Sequence, residues 1–307
     1  MVSIVCVGHC VMDYIFRVGK LPERGGKYSA RDFLLAAGGP AATAAATAAR
    51  LGAKTAFLGR VGDDGPGREI LAELAGYGVD VSQTRRVAGA SSSLSAILVD
   101  PAGERVIVNY RDPGLPGDAA WITPDMVAGA DVLLADVRWL EGAVRALTLA
   151  AGQGVPTVLD ADVTDEDMAV AVGLAGHVVF SEPGLARFTG LTDPAAGLRR
   201  AAERTKGVPY VTLGGKGCLW LEGSALLARE AFPVAVADTT GAGDVFHGAF
   251  AVALARGLPA APAAAFAGAA AALKCSRSGG WAGIPTLDEV LRFLEGQGCG
   301  LDRRFRC

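Results

Sequence analysis

The residues best suited to chemistry lie in Asp238-Thr239-Thr240-Gly241-Ala242-Gly243-Asp244. Two glycines separated by one small residue let the backbone turn several N–H groups toward one point, and a helix N-terminus behind them adds partial positive charge. The apolar run Pro233–Ala237 before the turn reads as a strand. The small-residue run Val245-Phe246-His247-Gly248-Ala249-Phe250 after it reads as a helix beginning near Asp244. Such a turn suits an anion. A carboxylate beside a bound phosphate is repelled unless it has a task, and the evident one is accepting a proton from a hydroxyl that attacks phosphorus. A tight turn with an Asp cap is the ordinary alternative. No Gly-x-x-x-x-Gly-Lys-Ser/Thr segment occurs, which excludes a P-loop.

Elements able to hold such a turn alternate along the chain. Parallel strands are expected at Ser3–Val7, Thr55–Arg60, Val132–Ala135, Thr157–Asp160, His177–Phe180 and Val208–Leu213. Helices are expected at Ala41–Leu51, Gly67–Tyr77, Glu141–Gly152, Asp193–Thr205 and Asp244–Ala255, and the Ala-rich stretch 260–272 is helical too. Strands apolar on both faces and separated by helices predict an α/β fold, a doubly wound parallel sheet flanked by helices. Residues 12–35 and 91–111 break the rhythm with mixed strands, and Pro101-Ala102-Gly103-Glu104 is a turn between two of them. They predict a small antiparallel β lid on one domain spanning 1–307, placed to close over a substrate.

Composition narrows the class. Half the residues (51%) are apolar and 20% charged, which suits a folded globular chain rather than a disordered one. The net charge is −3 and the basic residues are scattered singly, so no nucleic-acid footprint is present. No segment approaches the about 18 uninterrupted apolar residues of a membrane span, and the opening run reads as a strand rather than a signal peptide. Six cysteines without CxxC spacing and only three histidines offer little for a zinc site, so reduced thiols in a cytoplasmic protein are expected.

The 238–250 segment resembles the C-terminal signature of the ribokinase-like (PfkB-type) carbohydrate kinases. Gly38-Gly39-Pro40-Ala41-Ala42-Thr43-Ala44-Ala45, with Gly59-Arg60-Val61-Gly62-Asp63-Asp64-Gly65 further on, resembles their N-terminal signature. The likeness spans nearly the whole chain. It implies a sugar kinase using ATP and Mg²⁺, with Asp244 as the base and Gly241, Ala242 and Gly243 as the anion hole. It implies Asp13, Gly38, Gly39 and Thr43 at the sugar, and Thr212, Gly214 and Gly217 at the nucleotide. Ala272–Gly280, including Lys274, corresponds to the wall of the adenine pocket. Carbonyls around Asp238 and Thr240, with those near Arg277 and Gly280, correspond to a monovalent-cation (K⁺) site. The lid resemblance implies a homodimer. Two departures stand out: Thr43 replaces an Asn, and Ser181-Glu182-Pro183-Gly184 replaces the metal-organising Asn-x-x-Glu, leaving Glu182 as the carboxylate for Mg²⁺-bound water.

Acceptor choice rests on other residues. Lys27, Asn109 and Arg138 each have an ordinary reading: a surface Lys, a turn Asn, an Arg paired with Asp136. Taken with Leu134-Ala135-Asp136-Val137-Arg138-Trp139, the altered Ser-Glu-Pro-Gly and Ala271-Ala272-Leu273-Lys274-Cys275, they are similar to the sulfofructose kinases of sulfoglycolysis. That resemblance implies 6-deoxy-6-sulfofructose, phosphorylated at its 1-hydroxyl, with Lys27, Asn109 and Arg138 on the sulfonate. Alternatives are fructose 6-phosphate or another phosphoketose, a ketodeoxy acid, fructose or ribose, or a sensor that binds without catalysis.

Overall fold

A computed structural model describes residues 1–299. Its strands are β1 (Ser3–Val7), β2 (Val11–Val18), β3 (Ala30–Gly38), β4 (Lys54–Leu58), β5 (Arg60–Gly62), β6 (Val79–Asp80), β7 (Arg85–Val87) and β8 (Leu94–Val99). They continue with β9 (Arg105–Tyr110), β10 (Val132–Asp136), β11 (Thr157–Ala161), β12 (His177–Ser181), β13 (Val208–Thr212), β14 (Cys218–Glu222) and β15 (Ala225–Arg229). The helices are α1 (Pro40–Arg50), α2 (Gly65–Gly76), α3 (Leu140–Gln153), α4 (Ala169–Leu174), α5 (Glu182–Thr189), α6 (Pro194–Ala202), α7 (Ala242–Ala255), α8 (Ala260–Cys275) and α9 (Leu287–Gly296).

Nine strands form the main sheet in the order β15-β14-β13-β12-β11-β10-β1-β4-β6. All neighbours run parallel from β6 to β13, and β14 and β15 add an antiparallel edge. Alternate residues of the central strands feed two separate cores. Ile4, Cys6, Leu134 and Val158 face the side covered by α1, α2, α7, α8 and α9. Val5, Val7, Leu133 and Leu159 face the side covered by α3, α4, α5 and α6. Burial on both faces is why these strands lack polar alternation. From β1 the chain first builds outward through β4 and β6, then returns to build the other way from β10. The switch point between β1 and β10 opens a crevice at the carboxyl ends of the strands, where open α/β sheets bind ligands.

Small residues bring α1 and α7 together. A Cβ on Gly248 would lie 2.5 Å from the Ala44 carbonyl oxygen and 2.9 Å from Thr47 Cβ. The alanines of α1 are buried from 41 to 48, apart from the threonines at 43 and 47, which are buried with them.

The lid is a separate four-stranded sheet in the order β3-β2-β8-β9. It is two antiparallel hairpins, β2–β3 and β8–β9, joined through a parallel β2–β8 pair. The turn at 100–104 forms as the sequence predicts, with the Gly103 amide donating to the Asp100 carbonyl at 3.0 Å.

Two expectations are corrected. Thr55–Arg60 is not one strand: the chain breaks at Gly59, and Arg60–Gly62 pairs instead with Arg85–Val87. Pro233–Ala237 is not a strand. The amides of Ala237 and Asp238 donate to the Cys275 carbonyl at the end of α8, at 2.8 and 3.1 Å, so the segment ties down to a helix instead of joining a ladder. The five described cysteines are free, and Cys307 lies outside the described residues. No helix among the described residues is long and apolar enough to cross a membrane.

Candidate active site

The candidate site lies at the C-terminal ends of β1, β10, β11 and β12, with Asp13 and Asn109 supplied by the small sheet. Asp136, at the end of β10, ties its floor together. Its carboxylate accepts from the backbone amides of His9 at 2.8 Å, Ala41 at 2.9 Å and Arg138 at 2.8 Å. A Cβ on Gly8 would collide with that carboxylate, so the residue ending β1's run must be glycine. Even with three amides upon it, burial pushes Asp136 up to about 6.

The paired glycines have distinct tasks. A Cβ on Gly38 would strike the Asp13 carboxylate, and one on Gly39 would lie 2.7 Å from the Cys10 Cα and from the His9 carbonyl oxygen. Gly39 also adopts φ 98, a left-handed value that favours glycine. Asp13 is half-buried on β2 and is pushed up to about 6 by burial, with a hydrogen bond from Ser95 opposing. Strand register puts Asp13 opposite Ser95 and Ser95 opposite Asn109. The Ser95 hydroxyl lies 2.9 Å from Asn109 Oδ1, so the predicted sugar-binding Asp and tail-binding Asn share one face of the lid.

The turn at 238–244 becomes the N-terminus of α7, with Gly241 at φ 72 as its N-cap. The helix starts at Ala242, two residues before the position expected, so Asp244 lies within its first turn. The Ala242 amide donates to the Thr239 carbonyl at 3.2 Å, which removes it from the predicted anion hole. The amides of Gly241 and Gly243 have no protein acceptor among the described residues and remain for an anion. Asp244 is pushed up to about 7: burial acts first, then the charge of Asp160, with His247 pulling the other way and Asp136 and Asp162 adding to the rise. A carboxylate poised there is suited to a general base near neutral pH.

Lys274 does not present a polar wall. It is 1% exposed, and its ammonium stands 3.7 Å from Asp238 Oδ2 behind the turn. Asp238 also accepts from the Thr240 amide at 2.9 Å. Thr43 is likewise buried, its hydroxyl oxygen accepts from the Trp281 indole at 2.9 Å, and its methyl group faces the turn at Gly241. Arg277 is paired with Glu289 of α9 at 2.8 Å, and Gly280 sits at φ 60 in a short 3₁₀ turn. The Cys275 anchor brings this segment next to Asp238.

At the nucleotide side, Thr212 ends β13, and Gly214 (φ 55) and Gly217 (φ 93) bracket a single 3₁₀ turn. Nothing lies within 4 Å of a Cβ built on Gly214 or Gly215, which leaves open space over this turn.

At the acceptor side, the partner of Arg138 is Asp162 at 2.7 Å; Asp136 takes only its backbone amide. Asp162 Oδ1 accepts from the Ser181 hydroxyl at 2.6 Å, and Ser181 also caps α5 by accepting from the Gly184 amide at 3.0 Å. The altered Ser-Glu-Pro-Gly segment is thereby wired to Arg138 through one carboxylate. Glu182 stands exposed at the first position of α5, with no hydrogen bond or ion pair among the described residues. Lys27 lies exposed in the loop joining β2 and β3, and no hydrogen bond or ion pair joins it to Asn109 or Arg138.

Three further residues at this site were not assigned a role from the sequence. Arg105, on the same lid face as Asn109, donates to Thr240 Oγ1 at 2.8 Å and to Thr239 Oγ1 at 3.2 Å, joining the lid to the anion-binding turn. His9 borders the glycine pair. Arg60 lies over the Trp139 ring at 4.2 Å and donates to the Pro116 carbonyl.

A family model described as pfkB family carbohydrate kinase matches residues 1–287. The chain belongs to that family. This kinase is 29% identical over 296 residues to a ribokinase of Bacillus subtilis, covering 96% of this chain and all of that one. Among solved structures it resembles a "putative ribokinase" from Agrobacterium tumefaciens, with TM-score 0.92, 38% identity and coverage of 96% and 98% of the two chains. It also resembles the Arabidopsis thaliana ribokinase complexed with ribose and ATP, with TM-score 0.86, 27% identity and the same coverages. The protein is accordingly an ATP-dependent sugar kinase with the ribokinase-like fold.

Proposed function

We propose that this kinase transfers the γ-phosphoryl group of ATP to the 1-hydroxyl of 6-deoxy-6-sulfofructose, giving the 1-phosphate and ADP. The observation that carries the anionic part of that reading is the charge at the acceptor end. Burial pushes His9 down to about 3, and Arg111, Arg60 and Arg138 add to that shift, so three guanidinium groups lie near this end of the site, one of them paired with Asp162. A sulfonate is a tetrahedral anion with three acceptor oxygens, which guanidinium and amide donors match. The Ser181–Asp162–Arg138 chain supports the same reading, because it orients one such guanidinium. The ribokinase relatives favour ribose as a second reading.

In the proposed mechanism Asp13 and the Gly38-Gly39 backbone orient the sugar hydroxyls, while Asn109, Lys27 and Arg138 hold the anionic tail. The acceptor oxygen attacks the γ-phosphorus in line, the bond from phosphorus to the ADP oxygen breaks, and the hydroxyl proton passes to Asp244. The free Gly241 and Gly243 amides face the charge on the transferring group. Thr212, Gly214 and Gly217 border the nucleotide. Mg²⁺, when bound with the triphosphate, neutralises charge there, and the uncommitted Glu182 fits as a carboxylate for its waters. Carbonyls near Asp238, Thr240, Arg277 and Gly280 would hold K⁺, so added K⁺ should raise turnover; equal rates in Na⁺ and K⁺ would remove that site.

A coupled kinase assay across 6-deoxy-6-sulfofructose, fructose 6-phosphate, fructose and ribose tests the substrate. The sulfonated sugar is expected to give the highest kcat/KM. Arg138→Ala should raise its KM roughly ten- to hundredfold, the worth of one charged hydrogen bond. A higher kcat/KM for ribose would replace this reading with the second one.

A further inference from the structure

Beneath the catalytic base lies a second polar pair that the mechanism above does not use. His247 is on α7, three residues after Asp244 and so on the same helical face. Its Nδ1 stands 3.0 Å from Asp160 Oδ2, at the C-terminal end of β11. Both residues are buried, at 4% and 3% exposure. Donor atoms of Asp160, Asp244 and His247 all lie within 4.8 Å of one another.

The pair is costly to maintain. Asp160 Oδ1 and both ring nitrogens of His247 are buried without an aligned hydrogen bond among the described residues, so the Nδ1–Asp160 contact is one of charge at close range, and such groups destabilise a fold that gains nothing else from them. The remainder of this stretch of α7, from Val245 to Ala253, packs with apolar or glycine residues. A helix that needed only volume there would carry an aliphatic side chain. The structure instead places an imidazole within 4.8 Å of two carboxylates.

The charges around it explain what that imidazole does. Asp244 faces Asp136 from β10 and Asp160 and Asp162 from β11 and the residue after it, three carboxylates against one cation on its own helix. From α8, Lys274 turns to Asp238 instead, and from α1 the neighbouring residue at the turn is the uncharged Thr43. Burial disfavours a charged His247, but Asp160, Asp244 and Asp162 outweigh it, so the imidazole is held above its ordinary range. An arriving triphosphate brings still more negative charge to the turn.

Resting on the reading of Asp244 as base, we infer that Asp160 and His247 are positioning residues. Asp160, at ion-pair distance from Nδ1, favours the charged imidazole, and the resulting imidazolium supplies the positive charge that keeps Asp244 a carboxylate beside the nucleotide. Without that charge Asp244 takes up a proton at higher pH and can no longer accept one from the sugar.

The test has two arms on the full-length enzyme. Imidazole ¹⁵N NMR of the free protein reads His247 directly; the chain has three histidines, and His247→Gln assigns the signal by its loss. His247 is expected to be charged through neutral pH, and the near-isosteric Asp160→Asn and Asp244→Asn should each move its titration to lower pH. In the second arm, the pH profile of kcat/KM is measured with ATP and the best acceptor of the four-sugar panel. His247→Gln should move the acid limb up by about one pH unit, a tenfold loss on that limb, with recovery at higher pH. A His247 neutral at pH 7, or one indifferent to Asp160→Asn, overturns the inference. So does an acid limb that stays in place while Asp244→Asn is inactive. Substantial turnover in Asp244→Asn would instead overturn the reading of the base itself.

Discussion

Asp244 combines two environments that pull in opposite directions. The start of α7 and its free amides favour negative charge at this point. Burial among Asp136, Asp160 and Asp162 disfavours it, and the balance is a carboxylate pushed up to about 7. The turn proposed to receive the phosphoryl group therefore holds a carboxylate matched to general-base work near neutral pH. Asp244 and the Gly38-Gly39 pair were legible in the sequence because each belongs to a run that resembles a family signature, which spacing alone would not have distinguished from a tight turn or a close-packed helix. Asp160 and Arg105 were not. A single carboxylate at a strand end and a single arginine in an exposed strand have no local pattern, and their meaning comes from residues far away in the chain. Thr43 and Lys274 show a different limit: their place in a recognisable run implied ligand contact but not their burial, Thr43 beside Trp281 and Lys274 at 3.7 Å from Asp238.

At the scale of elements, the lid is a two-faced device. Period-2 alternation puts Asp13, Ser95, Asn109 and Arg105 on one face and Tyr14, Phe33, Val106, Val108 and Tyr110 on the other. The polar face reaches the 238–244 turn through Arg105, and we propose that this contact couples lid position to the anion-binding turn. Arg105→Ala is expected to lower kcat/KM roughly ten- to hundredfold, as loss of a charged hydrogen bond would. Thermal unfolding should stay unchanged, because Arg105 is exposed. Unaltered kinetics in that variant would show that the contact does not serve closure. The lid hairpins could be placed from turn residues alone. The parallel β2–β8 pairing could not, since it joins strands separated by β3 to β7 with α1 and α2.

Across the whole molecule, the parallel sheet and its two cores follow from apolar runs separated by helices, and the switch point beside β1 follows from the topology. The β14–β15 edge and the anchoring of Ala237 to Cys275 are tertiary outcomes that a strand-like apolar run did not reveal. The outer lid face leaves Phe33 51%, Val106 43%, Val108 60% and Tyr110 49% exposed, a concentration of apolar surface beyond scattered single residues. We propose that it pairs with the lid of a second copy. Sedimentation velocity at micromolar concentration should show a dimer, with Val108→Asp shifting it to monomer; a monomeric wild type would contradict the pairing.

The central claim is phosphoryl transfer to a sugar hydroxyl with Asp244 as the base. Turnover of Asp244→Asn, measured alongside ATP binding, tests it most directly. The predicted result is a fall in kcat of about 10²- to 10⁴-fold with nucleotide affinity preserved. Turnover near the wild-type rate would contradict it.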